Sequence, residues 1–287
     1  MKQLLQIMMI IPLAASMSAQ SSFPTFLPVE ENNVEWERDV YRILDLNENA
    51  NAGLGASNIP NLFTILFEMA IEGDVPVYEY TLNGNETFTE DTKTDIRDVL
   101  ENQQIPYKEM NGKLLVDEND IPTTEVKMYY LMESVYYDLT NGTFRTRVKA
   151  ICPVLSRIDD FNDETRYPLF WMMYENAEPF LKNFYIYTTN YNQRARMSVS
   201  EYFAANLYKG KIYKVFNAQG LTLSQYCETD SLMQKEQEKI EREIKTVQKN
   251  TYVIHEVEDV KENPNKKIIK RPKRLRLFRK DKQKEIK

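Results

Sequence analysis

Leu62-Phe63-Thr64-Ile65-Leu66-Phe67-Glu68-Met69-Ala70, with Tyr78 and Tyr80 just beyond it, returns in altered form 107 positions later. There the chain reads Leu169-Phe170-Trp171-Met172-Met173-Tyr174-Glu175-Asn176-Ala177, with Tyr185 and Tyr187 following. Six of the 19 aligned positions are identical and Phe67 meets Tyr174; upstream, Arg38 falls on Arg145 without a gap. A repeat of this length reads as a duplicated supersecondary unit.

Each copy reads as strand, polar loop, helix, Tyr-rich strand, capped helix, strand. In the first copy these are residues 38–44, 47–58, 61–71, 75–82, a helix from Thr89 toward Asn102, and 105–110. In the second they are 144–154, 159–165, 169–176, 183–189, a helix capped by Ser198 or Ser200 that runs to Tyr208, and 211–216. Both first helices start beside a proline, Pro60 or Pro168, where the missing N–H has no helical partner anyway. Serine and threonine before a helix accept from its free N–H groups, and Gly210 reads as the stop of the last helix. The copies are joined by a Tyr- and Met-rich segment, residues 126–139. Asn141-Gly142 turns it back as a hairpin, since that dipeptide readily takes positive φ.

The fold class is therefore α+β: two similar β-α-β-α-β units, a C-terminal charged helix and a basic tail. The expected divisions are residues 1–19, 20–33 (an extended arm), 34–116 (first unit), 117–227 (linker hairpin and second unit), 228–250 (charged helix) and 251–287 (flexible tail). On the charged helix, Met233, Ile240, Ile244 and Val247 share a stripe that Gln237 interrupts, the pattern of a helix docked on its own body. Trp36, Phe170 and Trp171 are expected in the core.

The first 20 residues have the order of an export signal. Lys2 precedes an apolar run from Leu4 to Ala15, and small residues follow to an expected cut after Ala19. About a dozen apolar residues fall short of the roughly 20 that span a bilayer, so a soluble, exported chain is expected. Cys152, in an apolar strand context, reads as a buried inert thiol, and a Cys152–Cys227 disulfide stays open.

Catalytic residue types are scarce. The chain has one histidine, His255, and two cysteines, which argues against transition-metal sites and histidine-dependent triads. No Gly-rich phosphate loop is present. The acidic run Asp159-Asp160-Phe161-Asn162-Asp163-Glu164 lacks the glycine and span of an EF-hand loop and reads as a solvated loop. Asn85-Glu86-Thr87 and Asn141-Gly142-Thr143 match the weak glycosylation pattern. The reading is of no enzyme, no cofactor and no metal.

Charge is divided unevenly. The formal net is −6, yet residues 261–287 hold 13 Lys and Arg against three acids, leaving −16 on the rest. The candidate partner-interface residues are Lys266, Lys267, Lys270, Arg271, Lys273, Arg274, Arg276 and Arg279. After export nucleic acid is not the expected partner; the tail reads as solvated, or as seated on an acidic protein, including a second copy's body, or on an anionic membrane surface. Arg274-Leu275-Arg276-Leu277 alternates as a strand does and suits addition to a sheet edge.

Several segments resemble the GldN (PorN) family of the type IX secretion system. They are Val34-Glu35-Trp36-Glu37-Arg38-Asp39-Val40-Tyr41-Arg42 with Asp45-Leu46, Asn61-Leu62-Phe63, Ile151-Cys152-Pro153-Val154, Tyr167-Pro168-Leu169-Phe170-Trp171 and Met197-Ser198-Val199-Ser200-Glu201-Tyr202-Phe203. The resemblance implies a periplasmic, non-catalytic subunit of a ring at the inner face of the outer membrane, formed with a lipoprotein (GldK or PorK). It implies contact with the periplasmic part of the inner-membrane motor protein (GldM or PorM), and membrane contact only through a partner or the basic tail. The alternatives are a periplasmic peptide- or glycan-binding module using the Tyr-rich strands, and a hydrolase using two carboxylates.

Overall fold

The computed structural model describes residues 34–55, 60–81, 83–158, 162–187 and 196–259. The chain divides into two compact units, Met1–Arg242 and Glu243–Lys287. In chain order the elements are β1 (Val34–Asp45), α1 (Leu62–Glu72), β2 (Val77–Tyr78), α2 (Ile96–Asn102), β3 (Lys108–Met110), β4 (Lys113–Leu115), β5 (Val126–Asp138) and β6 (Thr143–Ile158). They continue with β7 (Glu164–Pro168), β8 (Trp171–Met173), α3 (Tyr174–Leu181), β9 (Tyr185–Tyr187), β10 (Arg196–Ser198), α4 (Val199–Ala204), β11 (Lys211–Val215), α5 (Leu223–Tyr226) and α6 (Asp230–Asp259).

A seven-stranded antiparallel sheet in the order β11-β1-β5-β6-β8-β2, with β7 also on β6, organises the first unit. Its centre is the β5–β6 hairpin, turned at Asn141-Gly142 with Gly142 at φ +63°. Alternate side chains of a strand point to opposite faces, and β5 is apolar on both. Tyr129 and Leu131 join a large core with Phe63, Leu66 and Phe67 of α1 and Tyr202 and Phe203 of α4. Met128, Tyr130 and Met132 join Tyr41, Cys152 and Trp171 in a second cluster on the other face.

Local signals set the helix ends. Asn61 accepts from the Thr64 amide (3.0 Å), and Gly73, at φ +76°, closes α1. Ser198 and Glu201 cap α4 reciprocally: the Glu201 amide donates to the Ser198 hydroxyl (3.1 Å), and the Ser198 amide to the Glu201 carboxylate (2.9 Å).

Several sequence expectations are corrected. The helix expected over 169–176 starts at Tyr174, because the Leu169 amide donates to the Pro153 carbonyl (3.0 Å) and draws the chain along β6. The single helix expected from Thr89 is a short 3-10 turn followed by α2, which is capped by Asp95 accepting from the Arg97 amide at 2.9 Å. Helix α4 stops at Ala204, and Asn206 (φ +51°) turns the chain. Gly210 instead allows a close pass, since a Cβ there would lie 2.9 Å from the Arg42 Cβ. Phe170 and Trp171 are wholly buried as expected, but Trp36 is only half-buried, against Phe144.

Strands expected to correspond between the two units hold different places. β2 pairs β8 in the main sheet, whereas its counterpart β9 pairs β10 apart from it. β11 is the main sheet's edge, whereas β3 pairs only β4.

Candidate interaction surface

Two groups of buried charges tie distant segments together. In the first, Arg42 of β1 donates to Glu133 of β5 (2.5 Å) and to the Gly210 carbonyl (3.1 Å), and it pairs with Glu241 of α6. The Tyr208 hydroxyl donates to the other Glu133 oxygen (2.6 Å). Burial opposes the Arg42 charge, but the Glu133 and Glu241 carboxylates outweigh it and push the guanidinium pKa up. Burial, and then Glu133, raise the Tyr208 phenol well above its ordinary value. Gln237, the break in the α6 stripe, donates to the Ile212 carbonyl at 2.6 Å.

In the second group Lys214 of β11 meets Glu86 (2.9 Å), donates to the Gly84 carbonyl (2.6 Å), and lies 4.7 Å from the Tyr41 ring centre. Asn85 donates to the Asn217 carbonyl (2.8 Å) and Gln225 to Asn83 (3.1 Å), so residues 83–86 are fastened across the sheet's second face. Asn85 therefore has its amide engaged within the fold. So has Asn141, which donates to Asp138 at 2.6 Å.

Beside this strap lies a cleft of about 650 Å³ walled by Tyr80, Tyr130, Tyr213 and Met128, with Arg166, Lys209 and Lys211 on its lining. The Tyr130 and Tyr213 rings are 4.8 Å apart and Tyr80 is 5.7 Å from Tyr130. Burial raises the Tyr213 phenol well above its ordinary value, so it stays protonated. A second cleft, of about 490 Å³, is lined by Glu79, Asp98, Glu101, Gln103, Pro168 and Leu169; Tyr80 borders both. Their size suits a small ligand or a few peptide residues.

Among the described residues no group of three His, Cys, Asp or Glu could hold a metal ion. In the acidic run, the described Glu164 accepts from the Ser156 hydroxyl and serves the β6–β7 pairing. Cys152 and Cys227 are unbonded: Cys152 is wholly buried, its thiol pKa pushed up by burial, while Cys227 is partly exposed after α5. The eight basic candidates, Lys266 to Arg279, the expected export signal and the arm lie outside the described residues. Sequence reading missed Glu86 and Lys214 as partners; its one signal was a lysine between the apolar residues of a strand.

The profile of the family described as "Gliding motility associated protein GldN" matches residues 29–253. The chain belongs to the GldN family. GldN places it with gliding motility and type IX secretion, in a multi-component machine, and is a structural family not known for catalysis. No curated protein matches the chain. In this GldN-family chain no helix among the described residues is long and apolar enough to cross a membrane.

Proposed function

We propose that the chain is a non-catalytic structural subunit of the type IX secretion and gliding machinery. In this reading it is periplasmic and joins an outer-membrane lipoprotein of the GldK or PorK kind in a ring-like complex. It contacts the periplasmic part of a GldM- or PorM-like motor protein. The family match over residues 29–253 carries the reading. The placing of charged groups supports it: Arg42, Glu133, Glu86 and Lys214 are used in internal clamps. An uneven charge division suits head-to-tail contacts, which close into rings when the rotation permits. The duplication belongs with this proposal, supported by the six identities.

Co-expression with the lipoprotein, followed by fractionation and sizing, tests it. The expected result is a periplasmic particle far larger than a monomer. A monomer that fails to co-purify with the lipoprotein overturns it. The second reading, a peptide-binding module, is favoured by the Tyr80–Tyr130–Tyr213 cleft.

A further inference from the structure

Strand β7 has one edge on β6 and a second edge that no described strand covers. Its register settles which groups face outward. Leu169 donates to Pro153 (3.0 Å), and in continuous register Tyr167 pairs with Leu155 and Arg166 with Ser156. Bonded and non-bonded pairs alternate along an antiparallel ladder. Tyr167 therefore bonds toward β6, while Arg166 turns its N–H and C=O away from it. The Ser156 amide agrees, since it donates across β6's other side to Glu125 (2.8 Å).

The two clefts adjoin this edge and differ in chemistry. The Arg166 side chain lines the tyrosine cleft on the sheet's second face, and Leu169, which belongs to the large core on the other face, lines the acidic one. A strand added here would turn alternate side chains to opposite faces. The tyrosine side offers aromatic surface that accepts apolar groups, and its cations Arg166, Lys209 and Lys211 outnumber the acids Asp45 and Glu48. The other side offers Glu79, Asp98 and Glu101; the nearby Arg157 is already bound to Glu125 (2.6 Å) and the Gln103 carbonyl (3.2 Å). The matching occupant is an extended peptide with alternating basic and apolar residues. Arg274-Leu275-Arg276-Leu277 in this chain's own sequence has that pattern.

We propose that the outer edge of β7 is a docking strand for residues 274–279 of a second copy, with Arg166 exchanging main-chain hydrogen bonds. The inference rests on the reading of the chain as a part that acts through its surfaces. The split between a −16 body and a +10 tail favours meeting between copies.

Sedimentation velocity of the full chain at low salt tests it, with a synthetic peptide of residues 272–280 as competitor. Self-association is expected, and excess peptide should weaken it at least about tenfold. The same peptide N-methylated at Leu275 and Arg276, or scrambled to group its arginines, should not compete. Arg166→Pro removes the outward N–H and should lower peptide affinity at least about tenfold, while Arg166→Ala, which keeps it, should stay within about threefold. Equal competition by the N-methylated or scrambled peptide overturns the proposal whether or not Arg166→Pro folds. A chain that stays monomeric overturns the second-copy assignment. Lipoprotein co-purification of the same samples separates the two readings: if it persists without docking, only this inference fails, and if wild type does not co-purify, the proposed function fails.

Discussion

The Lys214 ammonium lies 2.9 Å from the Glu86 carboxylate, 128 positions away in the chain, with both side chains nearly sealed from solvent. A buried ion pair offers little net stability over an apolar pair of the same shape, but removing one partner strands the other charge. Lys214→Met should therefore cost about 3–5 kcal/mol, and adding Glu86→Leu should recover much of it. Urea unfolding of the two single variants and the double variant measures the coupling. Additive losses would show that the pair does not fasten residues 83–86 to β11.

The strap has a second constraint at Gly220, whose φ is +66° and whose missing Cβ would lie 2.3 Å from the Gly84 Cα. Gly220→Ala adds a left-handed strain of about 1–2 kcal/mol to a backbone clash that no rotamer relieves. In a Trp36→Phe background, Trp171 emission should shift red and become open to acrylamide quenching as the second face loosens. Unchanged emission would mean that the strap does not depend on this close pass.

The hairpin turn predicts an acid dependence. Asp138 accepts from Asn141 Nδ2 (2.6 Å) and from the Thr140 and Asn141 amides (2.9 and 3.3 Å). The Asn141 side-chain bond, more than any other contact, holds its carboxyl below the usual range, burial opposing. A depressed folded-state pKa gives stability that is present above the unfolded value of about 3.9 and lost as pH falls through the folded value. Asp138→Ala should be less stable than wild type at pH 7, and the gap should close on acidification through and below that range. A pH-independent gap in urea midpoints would remove the carboxylate from the account.

Thiol chemistry separates the cysteines. Cys152 is wholly buried with a raised thiol pKa, while Cys227 is partly exposed. Native protein should react with one equivalent of a disulfide-exchange reagent, at Cys227, and urea-unfolded protein with two. Two fast equivalents in the native state would contradict the packing of Cys152, and none even after unfolding would mean the two are bonded.

Much of the secondary structure was legible because its signals are local. Asn61 and Gly73 bracket α1, Ser198 with Glu201 starts α4, and Asn141-Gly142 turns the central hairpin. Errors arose where a distant segment overrode a local preference. Leu169 and Phe170 have a helical pattern, yet the Leu169 amide finds its acceptor at Pro153, so α3 waits until Tyr174. Glu86 looked like the middle of a glycosylation pattern because its partner Lys214 is invisible at that range.

The amino-acid order by itself determined the α+β composition, the caps and turns, the shortage of catalytic side chains and the family, through periodicities and motifs readable within a few residues. Only the tertiary structure decided the places of the strands expected to correspond, the partners of Arg42 and Lys214, and the edge at Arg166 that no described strand covers. Those depend on contacts between positions more than 90 apart in some cases, such as Arg42 with Glu133. Such contacts are specified by packing the whole sheet, since no local preference can name a partner that far along the chain.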